Sequence, residues 1–170
     1  MRLFLALWPR EPARDALAAV ARSLAQAASG KAVPAEKIHL TLAFLGEVAP
    51  ERLDEVRAAA DAIRGAPFEL VLDGVGSFQK ARVAWAGSSG LPGALVRLQS
   101  DLETGLRAAG FALDERPFAA HVTLARKIAF SVTAAAMAPI RWQASEYVLA
   151  RSESGSGSYS ILEGWSLERD

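Results

Sequence analysis

Residues 39–43, His-Leu-Thr-Leu-Ala, and residues 121–125, His-Val-Thr-Leu-Ala, are two copies of one short pattern, and they hold both histidines of the chain. Two of its four threonines occupy the matching third positions. Each copy alternates aliphatic with polar residues, the period of a half-buried strand. On such a strand His39 and Thr41 share one face, as do His121 and Thr123, while Leu40, Leu42, Val122 and Leu124 point into a core.

The surroundings of the two copies also match. RLFLAL (2–7), a helical stretch and HLTLAF (39–44) are answered by RVAWAG (82–87), a second helical stretch and HVTLAR (121–126). The first helix starts near Pro12 and carries Leu17, Val20, Leu24 and Ala28, with Gly30 as its stop. The second copy's helix carries Leu91, Leu95, Leu98, Leu102 and Leu106, with Gly110 as its stop. A further helix follows Pro50, with an inner face of Leu53, Val56, Ala60 and Ile63. Residues 68–75 read as a strand, 131–137 as a short helix, 142–150 and 159–167 as strands, and SESGSGS (152–158) as a polar turn. The duplication predicts one bilobal domain over 1–170, with a quasi-repeat of about 1–80 and 81–170. Two copies of one unit pack about a pseudo-two-fold axis, so equivalent residues face each other across a groove.

The chemistry follows from the residue types. An imidazole titrates near neutrality and serves as base or acid. Two of them flanking one phosphorus supply a base for the attacking oxygen and an acid for the leaving one. Threonine hydroxyls donate hydrogen bonds to phosphoryl oxygens. His39 and His121 are therefore the expected catalytic pair, with Thr41 and Thr123 as phosphate contacts. Neither motif holds a carboxylate to complete a metal site, so no metal and no cofactor is expected. Arg126 is a candidate phosphate contact, although strict alternation turns it away from the His121 face, which makes a salt bridge or lobe contact an equal reading. Lys127 has the matching parity. Phe44 is a candidate base-stacking residue whose parity favours the core unless the strand is bulged. Trp8, Trp85, Trp142 and Trp165 read as core or cleft wall.

Composition narrows the partners. The chain is 51% hydrophobic and 22% charged, with no net charge and no cysteine. A protein coating long nucleic acid carries a basic excess, so a nucleic-acid substrate here is short or is held at one end. Disulfide frameworks, thiolate metal sites and cysteine nucleophiles are excluded. No run reaches membrane-spanning length, and a monomeric cytoplasmic protein is expected.

With these motifs in place, the chain resembles the two-histidine (2H) phosphoesterases, specifically the RNA 2′,3′-cyclic phosphodiesterases, also called 2′-5′ RNA ligases. RLFLAL, KIHLTLAFLGEV, GSFQKARVAWAG, FAAHVTLAR and ARSESGSGSYSILEGWSL carry the resemblance in family order. One departure is Ala120, where many members place proline. The resemblance implies an α+β fold in which two antiparallel sheets flank a central cleft, with helices outside. It implies metal-independent opening of a 2′,3′-cyclic phosphate, on an RNA 3′ end or a small nucleotide, to a 2′-phosphate. In that scheme His39 is the acid to the leaving 3′-oxygen and His121 the base on water. Two other uses of the site stay open: 2′-5′ ligation by the reverse reaction, and RNA-end binding without catalysis.

Overall fold

The computed structural model describes residues 1–153, 155 and 157–168. Ser154 and Ser156 of the expected polar turn lie outside the described residues. In chain order the elements are β1 (Arg2–Leu7), α1 (Ala13–Ala28), β2 (Lys31–Ala32), β3 (Leu40–Glu47), α2 (Leu53–Asp61), β4 (Phe68–Phe78), β5 (Val83–Gly87), α3 (Gly93–Ala108), β6 (His121–Arg126), β7 (Ala135–Ala144), β8 (Glu146–Ser152) and β9 (Tyr159–Ser166). Single 3₁₀ turns at Ala35–Lys37 and Pro50–Arg52 precede β3 and α2.

The strands run in the order β7-β4-β5-β6-β3-β1-β8-β9, every pairing antiparallel, with β2 added beside β6. The two expected sheets are the two four-stranded halves of this path. One residue pair, Leu40 with Val122, joins them. These residues hold the same place in the two motifs, so the junction lies on the pseudo-symmetry axis. The halves of the sheet are not the halves of the chain. β4 sits beside β5 in the second half, whereas β8 and β9 return to complete the half built on β1 and β3.

The core is aliphatic where the alternation places it. Leu3, Leu5 and Leu7 of β1, Leu40 of β3 and Val122 and Leu124 of β6 are wholly inaccessible, joined by Leu17 of α1 and by Leu95 and Leu106 of α3. The opposite face of β1 carries Phe4 and Ala6, which with Ala150, Trp8 and Tyr159 form a separate cluster around His39.

Three local readings change. Residues 131–137 are not a helix: β7 begins at Ala135 and pairs with β4 as far as Ala144. Tertiary pairing prevails there over the helical propensity of an alanine-rich stretch. The expected strand over 142–150 is two strands, because the chain crosses at Ser145 from one half of the sheet to the other. Ser29 rather than Gly30 is the left-handed cap of α1, at φ 52°. Gly30 is needed for clearance instead, since a Cβ there would lie 2.8 Å from the carbonyl oxygen of Arg126 and 2.7 Å from Ile128. No helix among the described residues is long and apolar enough to cross a membrane.

Leu40→Ala removes a wholly buried side chain at the one pair that joins the halves. It is expected to lower the unfolding free energy by ~2–5 kcal/mol, read by urea denaturation. A loss below ~1 kcal/mol would show that the junction contributes little.

Candidate active site

The Leu40–Val122 pairing brings the motifs side by side in opposite directions. Continued one residue each way, that register sets His39 opposite Thr123 and Thr41 opposite His121. Directly opposed residues have Cβ atoms about 4.5–5.5 Å apart. Each histidine thus neighbours the other motif's threonine, and the four form a cross on one face. His39 responds electrostatically to the charge of His121, which helps lower its pKa.

The rings are oriented alike. Nδ1 of His39 lies 2.7 Å from the carbonyl oxygen of Lys37, and Nδ1 of His121 lies 2.8 Å from that of Ala119. A carbonyl can only accept, so Nδ1 carries the proton in both rings and Nε2 is left to exchange protons. Ala120 stands between the capping carbonyl of Ala119 and the ring it holds.

The environments of the rings differ. Trp8 stacks on His39 with centroids 4.6 Å apart, and Phe4 and Tyr159 close in at 5.1 and 5.2 Å. The indole nitrogen of Trp8 donates to the carbonyl of Glu36 at 3.0 Å, so one 3₁₀ turn fixes both the imidazole and its stacking partner. Burial among these rings is the main influence on His39 and pushes its pKa below the ordinary 6.5; the Lys37 carbonyl opposes this, and the charges of Arg126 and His121 add to it. Among the described residues His121 meets a single ring, that of Phe78, in a T-shaped contact at 5.0 Å.

A cleft of about 700 Å³ opens beside the motifs, walled by Thr41, Thr123, His121, Arg126, Phe44 and Phe78 and by Leu113, Asp114 and residues 116–119. His39 is not in this wall. Its ring packs against Tyr159, which with Lys37 helps to line a second, smaller groove.

Arg126 and Phe44 both belong to the cleft, and the reason is a matched pair of β-bulges. In the β1–β3 ladder Leu5 opposes Ala43 and Ala6 opposes Thr41, which leaves Leu42 as an extra residue. In the β5–β6 ladder Ala84 opposes Ala125 and Trp85 opposes Thr123, which leaves Leu124 extra. Each bulge buries two successive residues and reverses the parity beyond. Phe44, 47% exposed, and Arg126 therefore reach the histidine side, contrary to strict alternation. Arg126 makes no ion pair among the described residues, so the salt-bridge reading falls. Lys127 does not continue the strand; it takes φ 54° and lines the second groove.

Of the tryptophans, Trp142 is core, and Trp165 stacks on Tyr147 away from the cleft. Trp85 packs on Phe78 of the cleft wall with centroids 5.7 Å apart, and its ring lies so close on Gly76 that a Cβ there would sit 2.5 Å away. Sequence reasoning missed Phe4 and Tyr159 beside His39, and Gln99 and Glu103 of α3 in the cleft wall. Tyr159 had a signal, because it closes the SESGSGS turn. The others carried none. Among the described residues no three histidines, cysteines or carboxylates stand close enough together to hold a metal ion.

Comparison with known proteins agrees with this architecture. The family model LigT like Phosphoesterase matches residues 7–85 and 87–157, and each segment contains one histidine motif. The RNA 2′,3′-cyclic phosphodiesterase of Escherichia coli K12 is 34% identical over 82% of this chain and 81% of its own length. The protein of that name from Thermus thermophilus is 32% identical over 98% of this chain and 90% of its own. The crystal structure of E. coli LigT complexed with 3′-AMP superposes with a TM-score of 0.87 at 31% identity, covering 99% of this chain and 98% of that one. The chain is a member of the LigT-like phosphoesterase family, of the 2H superfamily.

Proposed function

We propose that this protein is a hydrolase that opens the 2′,3′-cyclic phosphate of an RNA 3′ end, or of a small nucleotide, to a 2′-phosphate, with His39 and His121 as its acid–base pair. The observation that carries the reading is the matching Nδ1 caps of the two histidines, on strands that meet at Leu40 and Val122. Relatives named for this reaction support it.

The reaction is a displacement at phosphorus. Nε2 of neutral His121 takes a proton from water as its oxygen bonds to phosphorus. The bond from phosphorus to the 3′-oxygen breaks, and that oxygen takes the proton from Nε2 of His39. Thr41 and Thr123 donate to the non-bridging oxygens, and Arg126 balances their charge. The reverse proton exchange with solvent restores both rings. Phe44 offers its ring to the base. Every group in the scheme comes from one chain, so a monomer suffices. The two strand–helix–strand units within 1–80 and 81–170 act as a quasi-repeat, each supplying one histidine and one threonine.

The depressed pKa of His39 has a consequence for the free enzyme. At neutral pH its neutral form dominates, and only a minority of molecules hold the acid ready. The anionic phosphodiester draws the proton back on binding.

His39→Ala and His121→Ala are each expected to reduce kcat by ~10²–10⁴ with little change in stability, and wild-type turnover should persist in EDTA. Product analysis on a short RNA with a 2′,3′-cyclic phosphate end tests this directly; near-normal turnover by either variant would refute the pair.

The depressed pKa of His39 has its own test in the pH profile of kcat/KM. The lower of the pair's two pKa values sets the acidic limb and the higher the alkaline one, so the profile reports the pair and not the roles. Trp8→Ala lets water reach the His39 ring, raises its pKa and should move one limb upward. An unchanged profile would show that burial does not set the proton affinity of His39.

A stability measurement gives a third outcome. The folded-state pKa of His39 lies below the unfolded value, so its contribution to stability is whole above pH 6.5 and is lost as pH falls through the depressed value. Thermal melts of His39→Gln should show a smaller loss of Tm on acidification than wild type.

A further inference from the structure

The second groove, of about 260 Å³, lies between β2, the 35–37 turn and the start of β9. Four cations line it: Lys31, Lys37, Arg126 and Lys127. Elsewhere arginines sit on carboxylates, as Arg57 does on Glu163, Arg107 on Glu103 and Arg141 on Glu69. None of the four groove cations makes an ion pair or a side-chain hydrogen bond among the described residues. In a chain with no net charge, this is a local concentration of uncompensated positive charge. Arg126 belongs to both walls, groove and cleft, so the two are continuous at that residue.

We infer that the groove binds the phosphodiester preceding the reacting nucleotide, and that the enzyme prefers oligonucleotide ends to mononucleotides. The inference rests on the proposed hydrolysis. A terminal nucleotide in an RNA carries two phosphates, the cyclic one and the 5′ one that links it to the rest of the strand. With the cyclic phosphate at the crossed motifs, Arg126 stands between the two. The lysines beyond it provide point charges without base-reading geometry, which suits backbone contact irrespective of sequence. Free lysines also have no ion pair to give up when a phosphate arrives. The neutral remainder of the surface restricts the grip to this end of the strand.

The test compares kcat/KM for a nucleoside 2′,3′-cyclic phosphate and for a short oligoribonucleotide ending in the same group, across a series of salt concentrations. The proteins are wild type, the double variant Lys31→Gln, Lys127→Asn, and Arg22→Gln as a charge control on the exposed side of α1. Asparagine suits the left-handed backbone at 127. Wild type should favour the oligonucleotide and lose that preference as salt rises. The double variant should lower the oligonucleotide value by roughly fivefold or more, mainly through KM, and flatten its salt dependence. The mononucleotide value should stay where it was, and Arg22→Gln should change neither. Equal wild-type use of both substrates, or a parallel loss on both in the double variant, overturns the inference and leaves the hydrolase intact. Failure of wild type on both substrates removes the hydrolase reading and the inference with it.

Discussion

One backbone pairing, Leu40 against Val122, governs the geometry of this molecule. Two copies of a strand run antiparallel and meet at equivalent residues, which creates a local two-fold axis. Every polar side chain next to that axis then has its counterpart across it. Leu40 and Val122 fill the core below, and the histidines and threonines stand above. A longer ladder would align more of the two motifs without adding a reacting group.

The bulges turn this symmetric scaffold into a directional site. They fall at Leu42 and Leu124, the same place in each motif, and expose the residues two positions on. Those residues are different: an aromatic ring at Phe44 and a guanidinium at Arg126. The same asymmetry extends to the imidazoles, one packed among Phe4, Trp8 and Tyr159 and the other meeting, among the described residues, the one ring of Phe78. Equivalent backbones thus hold inequivalent proton affinities and inequivalent surfaces. A substrate with an aromatic base at one end and a charged backbone at the other is oriented by that difference.

Much of this was legible from residues alone. The paired His-x-Thr motifs, the aliphatic anchors and the helices on either side follow from period and repetition, which are local properties. The positions of Phe44 and Arg126 were not legible, since parity counting assumes an unbroken ladder and nothing in Leu-Ala announces an extra residue. The 131–137 stretch was misread for a related reason: its alanines favour a helix in isolation, and only β4 alongside makes them a strand. The single strand expected over 142–150 concealed a crossing at Ser145 that depends on where the chain must go next. Tyr159 reaches His39 from 120 residues away in sequence, and no window of pattern spans that distance.

The return of β8 and β9 to the first half of the sheet sets an order of assembly during synthesis. Strands β4 to β7 all lie before residue 145 in the chain, so their half has its full set of strands first. The half that holds His39 does not. Its β1 waits, with one hydrogen-bonding edge open, for residues 146–152 to emerge and pair with it. Such long-range closure is slow, and until it happens the amino terminus is the part of the nascent chain most exposed to mispairing. A truncation that removed only the last two strands would therefore leave the opening strand of the protein without its outer neighbour.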